Sequence, residues 1–376
     1  MFKKVTDYRG CHVNARVVCR YASLFQAFPA AFSALNRESL SACVFVGVTL
    51  RMQFIECYDE VIRRNSKYVI NVRVAQSVTF RCIEQAIKSI GMQSQELLSM
   101  IENCPEGAET LIARVVHLLT ERNAPTPELV KRVRILHLQR NTDVRSLIPI
   151  LNGLEKDELR DLIPKFVLSA TNCKSVPTFF RRLLFGRHIE THEPLMTPVD
   201  LIIELHRVKT INIKEQGHLI SNLDLLIVDQ AHEFNLSKEV FANAIELLID
   251  ENPLPVIFFH TLQKIHEHYQ ALNSFLSNVF VKLAGRRDAW QQNVELWSAF
   301  LRCLKSVGSI AYLAVLTQLS IDEFKEYVEF VGQPNLLPTL HAFVSSLSAH
   351  QQNSIPKALF DYVKDNNVRD ALSVRN

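Results

Sequence analysis

The chain has 376 residues, 48% of them hydrophobic, and is therefore long and apolar enough to bury a large core. A formal net charge of +3 at pH 7 excludes a protein that binds nucleic acid electrostatically along its whole length. Only 10 residues are glycine, which disfavours loop-rich and β-rich folds.

The first 53 residues differ in character from the rest. Few prolines and glycines interrupt them, and signals for helix capping are weak. The run Cys43–Val48 is typical of a strand, and Tyr68–Val74 alternates in a strand-like way. Two isolated runs do not make a sheet, so whether residues 1–53 fold with the remainder stays open.

Short amphipathic helices begin to appear after this region. Residues 126–128 place a threonine at the N-cap, a proline at the first helical position and an acid in the first turn. Leu129, Val133 and Leu136 then follow at the spacing of one helical face. Thr142–Asp143 predicts the start of the next helix. Asn152–Gly153 follows the last apolar residues of that helix, and the glycine predicts a left-handed C-cap there.

The same pattern continues to the C-terminus. Capping boxes are predicted at Thr197–Asp200, Ser320–Glu323 and Ser348–Gln351. Apolar stripes at helical spacing recur in three segments: Leu111, Val115, Leu118 and Leu119; Phe241, Ala244, Ile245 and Leu248; Phe324, Val328 and Val331. Pairs of such helices repeat at roughly 40 residues, the range of HEAT-like repeats. The sequence thus predicts an all-α fold, an α-α superhelix of short antiparallel helices.

The cysteines lie far apart and form no Cys-x-x-Cys pair, which favours reduced, buried thiols in an intracellular protein. They are Cys11, Cys19, Cys43, Cys57, Cys82, Cys104, Cys173 and Cys303. The longest strongly apolar run, Ala42–Leu50, is too short to cross a bilayer, so we expect no membrane span.

One segment resembles a nucleotide-hydrolysis motif. The apolar run 225–228 ends in Asp229-Gln230-Ala231-His232, similar to the magnesium-binding motif of helicase-type ATPases. The position that activates water in that motif is glutamine here. A phosphate loop needs two glycines five residues apart, whereas no two glycines in this chain are that close. We therefore interpret the segment as a helix or loop of the repeat fold.

Histidines and basic pairs are the remaining candidates for a site. His188, His192 and Glu193 cluster in the sequence, as do His260, His266 and His268. His188 and His192 would share a helix face and could ligate zinc. Neither group has a matching cysteine or acidic set at ligand spacing, which favours solvent-facing histidines.

Two arginine pairs, Arg181–Arg182 and Arg286–Arg287, could contact RNA phosphates or could simply complement the dipole at a helix C-terminus. Few aromatic residues lie near these arginines, so no platform on which bases could stack is indicated. Trp290 and Trp297 are better explained as packing residues. Since no nucleophile elbow or activated cysteine is apparent either, we predict no catalytic, cofactor-binding or metal-binding residues.

Several stretches carry a family resemblance. The segment Gly91–Phe166 resembles the C-terminal region of the symplekin family, and so do isolated pieces farther on. The similar pieces are Gly91–Leu111, Pro127–Arg134, Leu147–Lys156, Pro253–Pro255, His350–Gln352 and Ile355–Pro356. The resemblance extends from about Phe54 to Val363, but the chain is longer than the family pattern at Gln216–Phe234 and has a small insertion at Arg73–Phe80. We accordingly expect residues 1–53 to be an extension and residues 54–376 to be the family-like domain.

The resemblance implies a nuclear scaffold without catalytic residues or cofactors. Symplekin-family proteins hold together subunits of the cleavage and polyadenylation specificity factor and of the cleavage stimulation factor. Among those subunits are the metallo-β-lactamase-fold endonuclease and its inactive relative. The family's N-terminal phosphatase-docking domain is not represented here, so that partner is not expected. Direct RNA contact would be weak or indirect. Two alternatives remain: an RNA-binding helical solenoid and a HEAT-type transport adaptor.

Overall fold

The computed structural model describes residues 87–88, 90–104, 109–169, 174–286, 293–333 and 336–364. The strand candidates Cys43–Val48 and Tyr68–Val74 lie outside these residues, as does the expected boundary after residue 53. Six of the eight cysteines, Arg287 and Trp290 also lie outside them.

The described residues are mainly helical, which confirms the predicted all-α class. Their only β feature is an isolated antiparallel bridge between Arg187 and Pro194. The α-helices are α1 Gln95–Glu102, α2 Glu109–Leu119, α3 Pro127–Arg140, α4 Lys156–Val167, α5 Val176–Phe185, α6 Pro198–Arg207, α7 Ile213–Asp224, α8 Lys238–Leu248, α9 Phe258–His268, α10 Asn273–Gly285, α11 Val294–Val307, α12 Tyr312–Gln318, α13 Ile321–Val331, α14 Leu336–Ser346 and α15 Ala349–Asn353. Shorter turns of 3-10 helix span Val144–Gly153, Gln270–Leu272 and Gly308–Ala311, a π-helix spans Leu225–Asp229, and residues 357–364 form a last helix.

The helices begin where the capping signals predict. Thr126 accepts a hydrogen bond from the Leu129 amide at 3.3 Å, with Pro127 at the first helical position of α3. The three predicted capping boxes are all present, starting at Thr197, Ser320 and Ser348. Each cap satisfies amide groups that the first helical turn leaves without an intrahelical acceptor.

The apolar stripes face the core. Leu129, Val133 and Leu136 of α3 are all buried, and so are the four predicted residues of α8. In α13 the stripe is shifted: Phe324 and Val331 are buried, but Tyr327 takes the inward position and Val328 is only half-buried. In α2, Val115 and Leu119 are buried and Leu118 is half-buried. Cys104 and Cys303 are buried and form no disulfide, as expected. Burial raises the pKa of the Cys104 thiol to about 11.

The chain divides into two compact units. The first contains the described residues up to Leu159 together with Thr178–Leu195, and the second contains Arg160–Pro177 and Met196 onward. In the first unit α1 packs on α3, and both α2 and α3 pack on the 3-10 segment Val144–Gly153.

In the second unit, helices repeatedly contact the second-next helix in the chain. α6 packs on α8, α7 on α9, α9 on α11, α10 on α12 and α11 on α13. Such contacts arise when antiparallel helix pairs stack in two layers, as in HEAT-like repeats. Large aromatic side chains fill the interior: Phe259 lies 5.6 Å from Phe300, and Trp297 lies 5.7 Å from the same ring, between ring centroids.

The predicted left-handed cap at Asn152–Gly153 is wrong. Gly153 has no positive φ, and the 3-10 helix ends instead at Leu154 in extended conformation. A Cβ atom on Gly153 would lie 2.4 Å from Cγ2 of Val130. The glycine therefore permits the Val130 side chain to approach the backbone closely rather than providing a turn conformation.

The segment Val294–Gln318 is long and apolar enough to cross a membrane by length and composition alone. Its most apolar window is 61% buried inside the protein. Gly308, at φ 58°, and the following 3-10 turn divide it into α11 and α12. Its apolar side chains form part of the core of the second unit. Length and composition alone therefore do not distinguish the segment from an ordinary core helix.

Candidate protein-docking surfaces

The ATPase-like motif is a structural turn. Its apolar run forms the π-helix Leu225–Asp229, where the Gln230 amide donates to the Leu225 carbonyl at 2.9 Å. The Tyr269 hydroxyl donates to the Ile227 carbonyl at 2.9 Å and thereby fixes this turn against α9. Asp229 is exposed. No strand precedes the motif. The segment is a short helix followed by a turn, in agreement with its interpretation as a helix or loop.

The predicted helix face shared by His188 and His192 is wrong. Both lie in the loop after α5, and His192 has a φ of 59°. Nδ1 of His188 accepts hydrogen bonds from the amides of Glu190 and Thr191, which makes it part of the turn.

The second histidine cluster is also dispersed. Nε2 of His260 lies 2.7 Å from Asp224, and Nδ1 of His266 lies 2.9 Å from Asn273. Within the described ranges, no group of three or more histidine, cysteine or acidic side chains is arranged to hold a metal ion.

The arginine and tryptophan candidates have structural contacts. Arg286 donates to the Ile249 carbonyl at 2.8 Å and pairs with Asp250. Burial lowers the pKa of Arg182. Nε1 of Trp297 donates to Glu326 at 2.9 Å while the ring packs in the core.

Two hydrogen bonds of Asn152 and a close contact at Gly186 hold the loop 186–195 in the first unit. The Ile189 amide donates to the Asn152 carbonyl at 2.8 Å, and Nδ2 of Asn152 donates to the Arg187 carbonyl at 2.8 Å. A Cβ on Gly186 would lie 2.3 Å from the Arg182 carbonyl oxygen. Sequence analysis missed this loop because its bonds join residues about 35 positions apart.

A cleft of about 280 Å³ lies beside this loop. Its lining includes Leu154, His188 and Leu195, and its rim carries the ion pair between Lys156 and Glu193 at 3.2 Å. Sites for small molecules usually occupy about 300–1,000 Å³. The cleft is thus large enough for a side chain of a protein partner and small for a cofactor.

The outer face of α3 is basic with one apolar residue. Lys131, Arg134 and Leu138 share this face at positions i, i+3 and i+7, and the Leu138 side chain is 80% exposed. Arg134 pairs with Glu158. The inner face of the same helix is the buried stripe, so α3 separates a structural face from a presented one.

A second exposed apolar surface lies at the start of α7. Ile211 and Ile213 are 91% and 86% exposed, the highest values among the large apolar residues that the structure describes. Lys209 and Lys214 flank them and are exposed too. We call these four residues the Ile211 patch. Sequence analysis did not single it out, although Ile213 precedes buried Leu219 by six residues and so lies about 120° away around the helix.

Comparison with known proteins gives one family. The family model described as "Symplekin tight junction protein C terminal" matches residues 143–330, half of the chain. The match begins after α3 and includes the segment Gln216–Phe234, where we expect the chain to be longer than the family pattern. No solved structure matches the chain at a significant level.

Proposed function

Because this chain belongs to the symplekin C-terminal family, we propose that it is a non-catalytic scaffold subunit of the pre-mRNA 3′-end cleavage and polyadenylation machinery, acting in the nucleus. The family match over residues 143–330 is the observation that carries this proposal. A scaffold needs rigid elements and exposed contact residues rather than a reactive centre, and the stacked helices with exposed Leu138, Ile211 and Ile213 suit that task.

The partners of the scaffold are proteins. We assign to it the C-terminal regions of the endonuclease subunit and its inactive relative, and subunits of the cleavage stimulation factor. The near-neutral net charge of +3 favours mixed polar and apolar interfaces over contacts made through many phosphates. RNA contact is therefore indirect or weak in this proposal, and no cofactor takes part.

The family-like domain in this proposal comprises residues 54–376, and residues 1–53 are an extension to it. A chain lacking residues 1–53 should keep its helical circular dichroism and a cooperative unfolding transition. Loss of cooperative unfolding would place the extension inside the folded domain.

Co-purification tests the scaffold function directly. The full chain is expressed with the C-terminal regions of the endonuclease subunit and its inactive relative, with and without nuclease, at about 50 to 200 mM salt. The association should survive nuclease and weaken only modestly over that salt range. Loss on nuclease treatment would make RNA the bridge and favour the RNA-binding alternative. Absence of any association would reject the scaffold assignment for this chain.

A further inference from the structure

We propose that the Ile211 patch binds a segment of a protein partner that combines acidic with large apolar side chains. The inference rests on the proposed scaffold function and names a contact surface for it. The argument uses the exposure, the fixed geometry and the charge of the patch.

The exposure of the patch is unusual for this chain. Ile211 and Ile213 are 91% and 86% exposed, whereas Leu219 and Leu223 on the inner side of the same helix are 2% and 0% exposed. Single apolar residues on a surface need no explanation, but here two large β-branched side chains are exposed within three residues of the chain. Contact with an apolar side chain of a partner would remove both from water.

Two hydrogen bonds hold the patch in one conformation. The Asn212 side chain accepts from the Glu215 amide at 2.9 Å, and Oε2 of Glu215 accepts from the Ile211 amide at 2.8 Å. Asn212 is thus the N-cap of α7, and the residues on each side of it are fixed by the helix start. A fixed surface loses little conformational freedom on binding, which favours recognition of a short segment.

The charge of the patch determines the chemistry of its partner. Lys209 and Lys214 form no ion pair within the residues that the structure describes, and both lie beside the positive end of the α7 dipole. The acid closest to Lys214 in sequence, Glu215, accepts a hydrogen bond from the Ile211 amide. Carboxylates on a partner segment would pair with the two lysines while its apolar side chains cover the isoleucines.

The shape beside the patch admits a close approach. Gly217 lies one turn after Ile213 on the same face, and a Cβ added there would meet no atom within 4 Å. A partner segment can therefore lie near the α7 backbone. Residues 207–218 contain no phenylalanine, tyrosine or tryptophan on which a base could stack, and their one histidine, His218, is half-buried. This composition favours a protein partner over single-stranded RNA.

The test uses the full chain and two double variants of the patch. One is Ile211→Ser with Ile213→Ser, and the other is Lys209→Glu with Lys214→Glu. Matched controls in the same unit are Val294→Ser, at a position 77% exposed, and Lys238→Glu, also exposed. The probes are overlapping peptides from the C-terminal regions of the endonuclease subunit and its inactive relative, together with those regions intact, after nuclease treatment.

Each double variant should weaken binding by about tenfold or more, as expected for the central residues of an interface, and both controls should bind like the unaltered chain. The peptides retained should carry acidic and large apolar residues together. The melting temperatures of the variants should match that of the unaltered chain because the substituted side chains are exposed. If a double variant unfolds, Ile213→Ala and Lys214→Ala replace it in the same comparison.

Three results would overturn the inference. If both double variants still bind the intact C-terminal regions, the scaffold function stands but the Ile211 patch does not contribute to it. Retention of basic peptides, or binding that nuclease abolishes, would show a different ligand chemistry. Failure of the unaltered chain to bind either C-terminal region would reject the proposed function and this inference together.

Discussion

The two units of the chain are stabilised by different kinds of interior contact. In the first unit, the only polar side chain buried among the described residues is Thr120, which follows α2 and donates to the Val116 carbonyl of that helix. In the second unit, His206 bonds to Thr261 at 2.8 Å, and Asn222 donates to the Val167 carbonyl at 2.9 Å. Each of these second-unit bonds joins residues 55 positions apart in the chain.

The difference shows which contacts fix the alignment of the helices in each unit. A buried polar group without its partner destabilises a fold, so the second-unit bonds select one alignment of helices over shifted alternatives. The first unit obtains a comparable selection from close contacts at Gly153 and Gly186, where a larger residue does not fit. This difference between the units, and the contrast between inward and outward helix faces, lead to four testable outcomes.

The largest effect is expected from Leu136→Ala in the first unit compared with Ile213→Ala in the second. Leu136 is 5% exposed, and its truncation should lower the free energy of unfolding by about 2–5 kcal/mol. Ile213 is 86% exposed, so its truncation should change that free energy by less than about 0.5 kcal/mol. Urea unfolding followed by circular dichroism measures both, with Lys131→Ala as a surface control on α3. Equal effects would mean that the inward and outward faces are misassigned.

Acid should destabilise the second unit through His206. Nδ1 of His206 donates to the Ile202 carbonyl and Nε2 accepts from Thr261. Burial lowers the pKa of this histidine from 6.5 to about 4. Between these values the unfolded chain binds a proton that the folded chain does not. Stability is therefore complete above pH 6.5 and falls as the pH drops towards 4, by at most about 3 kcal/mol.

Hydrogen exchange at several pH values locates this effect. Amides of α6 and α9 should lose protection between pH 6.5 and 4 sooner than those of α3. His206→Gln should remove most of that pH dependence, whatever its effect at neutral pH. A dependence that persists in this variant would assign the titration to a group other than His206.

Gly153→Ala should destabilise the first unit by about 1–3 kcal/mol, because the new Cβ would lie 2.4 Å from a stiff, buried valine side chain. The matched variant is Val130→Ala, which removes the clashing methyl groups. The double variant should be more stable than the sum of the two single effects predicts. Strict additivity in thermal unfolding would contradict the close-contact account of this glycine.

Local patterns predicted the parts of the fold that depend on neighbouring residues. The caps at Thr126, Thr197 and Ser320 and the stripe of α3 follow from spacing within one or two turns. Contacts between distant segments were not predictable in this way. The sequence predicts that Gly153 ends a helix in a left-handed conformation. In the structure its role is set by a contact with Val130, which lies 23 positions earlier. The prediction that His188 and His192 share a helix face was wrong because α5 ends at Phe185.

The candidate docking surfaces show the same limit. The Ile211 patch has no sequence motif, since exposure is a property of the folded chain. What the sequence does contain is an asparagine that caps α7 between two isoleucines, with lysines on both sides. That combination could have been recognised only by asking which apolar residues lie off the buried stripe of the helix.

The smallest effect is expected from Gly217→Ala, and it should have the opposite sign to Gly153→Ala. Gly217 lies inside α7, where alanine is favoured by about 0.5–1 kcal/mol, and a Cβ there meets nothing within 4 Å. The variant should raise the melting temperature slightly. Binding of the partner C-terminal regions should weaken if a segment lies close to the backbone beside Ile213. A stabilised variant with unchanged binding would mean that the partner segment does not extend over this turn of the helix, while a destabilised variant would show that Gly217 has a packing neighbour in solution.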